Sequence, residues 1–195
     1  MNDPGNRPFK PTKEELWAAR GKSVPDLIAV GLRVLFVGIN PGLYTAAVGH
    51  HFARPGNRFW PALHQSGFTS RQLSPFEEKE LLADGYGIVN IVARATARAD
   101  ELSTGEFVGG GVLLEEKVRL FKPCFCAILG MGAYRTAFNR PMAWTGPQRE
   151  KLGESSVWVL PSPSGINANY QIKHLVSMLR ELRLAAEECP GSGRL

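Results

Sequence analysis

The sequence predicts an α/β fold, a three-layer α/β/α sandwich around a short, mainly parallel sheet of four or five strands. Three observations predict it. Four short segments, Val34–Val37 (VLFV), Gly87–Val92 (GIVNIV), Cys124–Leu129 (CFCAIL) and Val157–Leu160 (VWVL), are β-branched or aromatic and nearly free of charge. Strands buried on both faces read this way. Stretches with helical apolar spacing lie between them, and alternation of strand and helix places a sheet between two helical layers. Finally, 195 residues with 44% hydrophobic and 21% charged side chains suit one domain with a large core and exclude the composition of a disordered chain.

The elements follow in order. Residues 1–28 read as an N-terminal arm with one short helix. The first eleven residues carry three prolines. Thr12 and Glu15 then form a capping box for a helix to Arg20, which Val24-Pro25 ends. A single domain spans 29–186. After VLFV, Asn57–Gly67 has apolar residues at Phe59, Leu63 and Phe68. Ser74–Leu82 opens on Ser-Pro and acidic residues, a good helix start. Val112–Phe121 is amphipathic, but Gly109-Gly110-Gly111 obscures where its helix begins. Ile172–Ala186 is the last amphipathic helix, and residues 187–195 form a frayed tail.

Charge and cysteine content set outer limits. The net charge of +5 and pI of 9.3 permit an anionic partner. Three cysteines are too few for a disulfide scaffold, so a reducing, cytoplasmic setting is expected. Cys124 and Cys126 alternate on one strand face as core residues, with Cys189 in the tail. No apolar run reaches the ~18 residues of a membrane span, and the first fifteen residues lack the apolar core of a signal peptide. His50, His51, His64 and His174 have no carboxylate or cysteine partners at metal spacing. No metal, cofactor or membrane partner is expected.

In open parallel sheets, ligands bind outside the carboxyl ends of the strands. That rule selects the loops starting at Gly38, Ala93, Gly130 and Pro161. The first reads Gly38-Ile39-Asn40-Pro41-Gly42. Glycine allows close backbone approach and Pro41 stiffens the turn, so Asn40 presents an amide at the mouth of the sheet. An amide can orient a water, although the same residues also make an ordinary Asx turn. The last loop reads Pro161-Ser162-Pro163-Ser164-Gly165-Ile166-Asn167-Ala168. Its apolar tip on a stiff loop could wedge into a base stack, or Ser164 or Asn167 could simply cap a helix.

Together, GINPG after the first strand and PSPSGIN after the last resemble the two active-site motifs of the uracil-DNA glycosylase superfamily. The likeness runs from about Gly31 to Leu182 and is nearest the mismatch-specific uracil- and thymine-DNA glycosylases. It includes His50–Trp60 (HHFARPGNRFW), Val89–Thr96 (VNIVARAT) and Ile128–Tyr134 (ILGMGAY).

This resemblance implies a monofunctional DNA repair enzyme acting on double-stranded DNA with a G·U or G·T mismatch. It would flip the mispaired pyrimidine, hydrolyse its N-glycosidic bond, and release free uracil without cutting the strand. By the resemblance, Asn40 positions the attacking water. Gly38, Ile39, Phe52, Thr45 and Ser162 line the base pocket. Ile39 and Phe52 offer backbone donors, and the Phe52 ring stacks on the base. Gly165, Ile166, Asn167 and Ala168 form the wedge that reads the orphan guanine. A bacterial-type, nucleoid-associated monomer is expected.

The chain also departs from the pattern. Ser162 replaces an asparagine, Met131 a common lysine, and Ala168 the usual basic residue of the wedge. Ala93 stands where the family carries aspartate or glutamate in a V-D/E-R-x-T pattern, while Val92, Arg94 and Thr96 match it. An acid at position 93 could activate water. Its absence marks either a substituted chain or one relying on Asn40 alone. The alternative function is a mismatch- or lesion-binding protein with little turnover. An unrelated nucleotide-binding α/β protein is the remaining rival.

Overall fold

A computed structural model describes residues 10–165 and 171–189. Its sheet is built by parallel pairing of the apolar segments: β1 (Val34–Gly38), β2 (Tyr86–Asn90), β3 (Phe125–Leu129) and β5 (Ser155–Leu160). β4 (Gly146–Leu152) joins as an antiparallel edge strand, and the strand order is β2-β1-β3-β5-β4. The carboxyl ends of the four parallel strands therefore share one edge of the sheet. The fold is the α/β sandwich expected, with the fifth strand drawn from a segment that carries no apolar signal. GPQREKL is polar because β4 lies at the edge, where most of its side chains meet solvent.

Side chains alternate across the sheet with the two-residue period of a strand. Val34, Phe36, Tyr86, Ile88, Leu129, Trp158 and Leu160 pack on one face, against α3 (Phe59–Gln65) and α7 (Ile172–Glu187). Leu35, Val37, Val89, Cys126, Ile128, Val157 and Val159 pack on the other, with α5 (Thr104–Phe121) and α6 (Met131–Ala137). The remaining helices are α1 (Lys13–Ala18), α2 (Leu43–Val48) and α4 (Glu80–Ala83). The Thr12–Glu15 capping box of α1 forms in full.

Three expectations are corrected. The Val112–Phe121 helix begins eight residues earlier, at Thr104, because Ser103 and Glu106 make a capping box there. The glycine run lies inside it. A Cβ on Gly110 would sit 2.3 Å from the Ile91 carbonyl oxygen, and one on Gly111 would sit 2.7 Å from that of Ala137. Gly110 lets α5 press directly on the backbone that follows β2, and Gly111 lets it press on the end of α6. Ser74–Leu82 splits into a 3-10 turn at Pro75–Glu77 and α4, with Glu78 buried between them. Finally, Cys124 is bonded to Cys189. Cys124 lies just before β3 and is only partly buried, so it does not share the core role of Cys126. Burial pushes the Cys126 thiol up to about 12. The disulfide ties the end of α7 to the sheet, and Cys189 is not a frayed position.

Among the described residues, no helix is long and apolar enough to cross a membrane. No group of three or more His, Cys, Asp or Glu residues there could hold a metal ion.

Candidate active site

The loops after β1, β2 and β5 enclose a cavity of about 500 Å³ at the carboxyl edge of the sheet. Two of these loops are zipped together beyond the strands. Ile91 N–H donates to Gly38 O at 2.9 Å, Val92 N–H to Ile39 O at 2.9 Å, and Thr96 N–H to Pro41 O at 3.2 Å. The GINPG loop thus lies fixed against the VNIVARAT segment, and Asn40 faces the cavity from this ladder.

The orientation of Asn40 follows from its partners. Its Nδ2 donates to the Arg94 carbonyl at 3.0 Å and to Thr96 Oγ1 at 2.7 Å. Thr96 Oγ1 in turn donates to the Arg98 carbonyl at 2.7 Å. Carbonyl oxygens only accept, so the Thr96 proton is committed and its oxygen must receive the amide proton. Both amide protons are spent, which leaves Oδ1, an acceptor, as the capacity that Asn40 offers the cavity. Arg94 is pinned from outside by its pair with Glu106 and by donation to Glu101 O at 3.2 Å. Hydrogen bonds from the Arg94 side chain and from Ser103 N–H hold the Glu106 carboxyl down at about 2.

Phe52 lines the cavity in the left-handed backbone region, at φ 53°. Its ring stacks on the buried Phe59, with centroids 4.2 Å apart and planes 26° apart. His51 precedes it, buried, and its Nε2 donates to the Pro25 carbonyl at 3.0 Å. Burial lowers the His51 pKa below the ordinary histidine value, so the ring is neutral near pH 7, with Nδ1 as the acceptor.

Gly38 is not itself among the lining residues but lies beneath two of them, Asn90 and Phe52. A Cβ there would lie 2.5 Å from Asn90 Oδ1 and 3.4 Å from Phe52 Cζ. The missing side chain lets Asn90, the last residue of β2, lie over the β1 terminus and reach the cavity. Thr45 lines the cavity from inside α2. Ser162 lines it from the last loop, where its Oγ accepts from Ser164 N–H at 3.4 Å. That loop is tied to the HHFARPGNRFW block. Arg58 N–H donates to Pro163 O at 3.0 Å, and Arg58 Nη2 donates to Ser164 O at 2.7 Å. A Cβ on Gly165 would lie 2.7 Å from Gly56 O.

The cavity thus gathers Ile39, Asn40, Thr45, Phe52 and Ser162, with Gly38 beneath. Ala93 is exposed and absent from the cavity wall; of the V-x-R-x-T segment, Arg94 and Thr96 are the residues that grip Asn40. Ile166, Asn167 and Ala168 lie outside the described residues. Among the further lining residues, Arg98 and Asp100 lie outside the quoted blocks, and Arg54, Asn57 and Asn90 lie within them but were given no role. Asn90 ends an apolar strand, and that position at the carboxyl edge is the signal that could have found it. Asp100 is the one carboxylate among the described lining residues, and Arg98 holds it through two hydrogen bonds at 3.1 and 2.7 Å.

Comparison with known proteins gives two findings. A family model described as the uracil DNA glycosylase superfamily matches residues 25–183. The fold is also similar to a solution NMR structure of a Methanosarcina acetivorans protein provisionally described as a uracil DNA glycosylase. The TM-score is 0.54 at 16% sequence identity, covering 84% of this chain and 98% of that one. At that identity the likeness speaks to the fold.

Proposed function

We propose that this chain, which belongs to the uracil DNA glycosylase superfamily, excises uracil mispaired with guanine in duplex DNA and leaves an abasic site. The observation that carries the reading is the fixed side-chain amide of Asn40, a cavity-lining residue whose two N–H protons are both engaged, which leaves its oxygen as the acceptor on offer.

The reaction needs the nucleotide out of the stack, because the glycosidic bond is inaccessible within it. A flipped pyrimidine enters the cavity beside the Phe52 ring, and the Asn90 amide, which lines the same cavity, meets its polar edge. Water donates a hydrogen bond to Asn40 Oδ1, which aims the lone pair of the water at C1′. The C1′–N1 bond breaks, its electron pair leaves with the base as the uracil anion, and water adds to the electron-poor sugar carbon and gives up a proton to solvent, from which the freed anion is protonated. Placement of this kind supplies much of the rate when the electrophile is already reactive. Backbone N–H groups of Ile39 and Phe52 stabilise the departing anion. The cavity offers no lysine amine among its described lining residues, which supports hydrolysis alone without a lyase step. Arg54 and Arg98 at the rim suit phosphates.

A duplex with a single G·U pair, treated with alkali after incubation, tests the reading. Strand scission is expected, with G·T slower and A·U slowest. Asn40→Ala is expected to lower the single-turnover rate by about 10³-fold, the upper range for losing one preorganised polar group. A bandshift without scission would replace this reading with that of a lesion-binding protein.

A further inference from the structure

We propose that Glu78 is a positioning residue that sets the ring of Phe52 for base stacking; the inference rests on the stacking role given to Phe52 above. A bulky residue in the left-handed region, as Phe52 is at φ 53°, stays there only when its surroundings hold it. The two residues before it hang from one carboxylate. His50 Nδ1 donates to Glu78 Oε1 at 2.9 Å, and the His51 backbone N–H donates to Glu78 Oε2 at 2.8 Å. Glu78 is buried at 7% exposure, and His50 is its one ion-pair partner among the described residues.

The same short stretch is gripped from the other side. Trp60 Nε1 donates to the His51 carbonyl at 3.1 Å, and the His51 ring is anchored on Pro25 O. The His51 peptide is therefore held at its N–H by Glu78 and at its carbonyl by Trp60. With that frame fixed, the next ring lies flat on Phe59 and forms the cavity wall. Glu78 itself does not line the cavity, so any effect it has on the base passes through Phe52. A buried carboxylate accepting two hydrogen bonds makes strong, directional contacts, which suits a hook for a strained backbone.

A double-mutant cycle tests this. Glu78→Gln keeps the size but removes the charge and one acceptor oxygen, so both hooks lose their charge assistance and the one to His50 survives only if its imidazole switches tautomer. In otherwise unaltered protein, Glu78→Gln is expected to lower the single-turnover rate on a G·U duplex by about tenfold and to weaken product inhibition by free uracil. In a Phe52→Ala background the same change is expected to cost less than about twofold, because the ring it positions is gone. Equal losses in both backgrounds, or no loss in the first, would overturn the proposal. His50→Ala, which removes only the Oε1 hook, runs through the same cycle if Glu78→Gln does not fold. Unaltered protein that releases no uracil would overturn the proposed function instead, so the two failures are distinguishable.

Discussion

Thr96→Val isolates the hydroxyl that fixes the amide of Asn40. Valine matches threonine closely in shape, so packing at this buried position is kept. Two hydrogen bonds disappear, the one from Asn40 Nδ2 and the one to the Arg98 carbonyl, both 2.7 Å. Neutral hydrogen bonds contribute about 0.5–1.5 kcal/mol each, and a buried group left unpaired costs about 1–3 kcal/mol. A destabilisation of about 2 kcal/mol follows, or a Tm lowered by roughly 4–8 °C in a chain of this size. The effect on chemistry is separate. With one anchor left, the amide can turn and present N–H to the cavity, where only Oδ1 can accept from water. If the lost anchor contributes about 1.4 kcal/mol to that orientation, the single-turnover rate falls about tenfold. The assay is uracil release from a G·U duplex under saturating protein, well below the variant's Tm. Thr96→Ser retains the hydroxyl and should stay within about threefold of the unaltered chain. A valine variant as fast as the serine variant, despite a lowered Tm, would refute the claim that Thr96 orients Asn40.

Two further outcomes follow from the geometry. Ala93→Asp should leave the rate of uracil release within about twofold of its starting value, because position 93 is exposed and outside the cavity wall; a tenfold gain would assign an acid to that spot after all. Cys189→Ser removes a link spanning 65 positions, which chain entropy values at up to about 4 kcal/mol. Differential scanning fluorimetry should then show a clear fall in Tm with uracil release retained, and an unchanged Tm would remove the bond from the folded state.

The four parallel strands were legible because burial on both faces forces near-continuous apolar runs, as in VLFV and VWVL. β4 was not, since an edge strand is defined by its neighbour β5 and not by its own composition. α5 was obscured because glycine discourages helix, while Gly110 and Gly111 are required by contacts with Ile91 and Ala137 that only the tertiary structure brings near. The candidate site divides the same way. Asn40, Phe52 and Ser162 sit in loops whose turn chemistry and likeness to a family are local. Asn90 and Asp100 enter the cavity through side-chain direction at a strand end and in a 3-10 turn, which no local pattern fixes. The Cys124–Cys189 bond escaped because partners far apart in sequence leave no spacing to read.

Position 93 raised the question of a missing general base, and the electrostatics of the cavity answer it. A departing uracil carries the electron pair of the broken bond. An unpaired carboxylate ~6 Å from that anion, at an effective dielectric constant of ~20, would oppose its departure by about 3 kcal/mol and would attract the electron-poor sugar carbon in turn, so its net effect depends on which of the two it lies nearer. The one carboxylate found among the described lining residues, Asp100, is held by Arg98. Arg54 adds positive charge among the lining residues, while Arg98 is matched by Asp100. A neutral amide at position 40 holds water without adding to the repulsion, and its orientation is set by the Arg94 carbonyl and the Thr96 hydroxyl. In a reaction led by departure of the base, the water needs direction more than deprotonation. Under the proposed function, direction comes from residues 94 and 96, which hold Asn40, while residue 93 is exposed and outside the cavity wall.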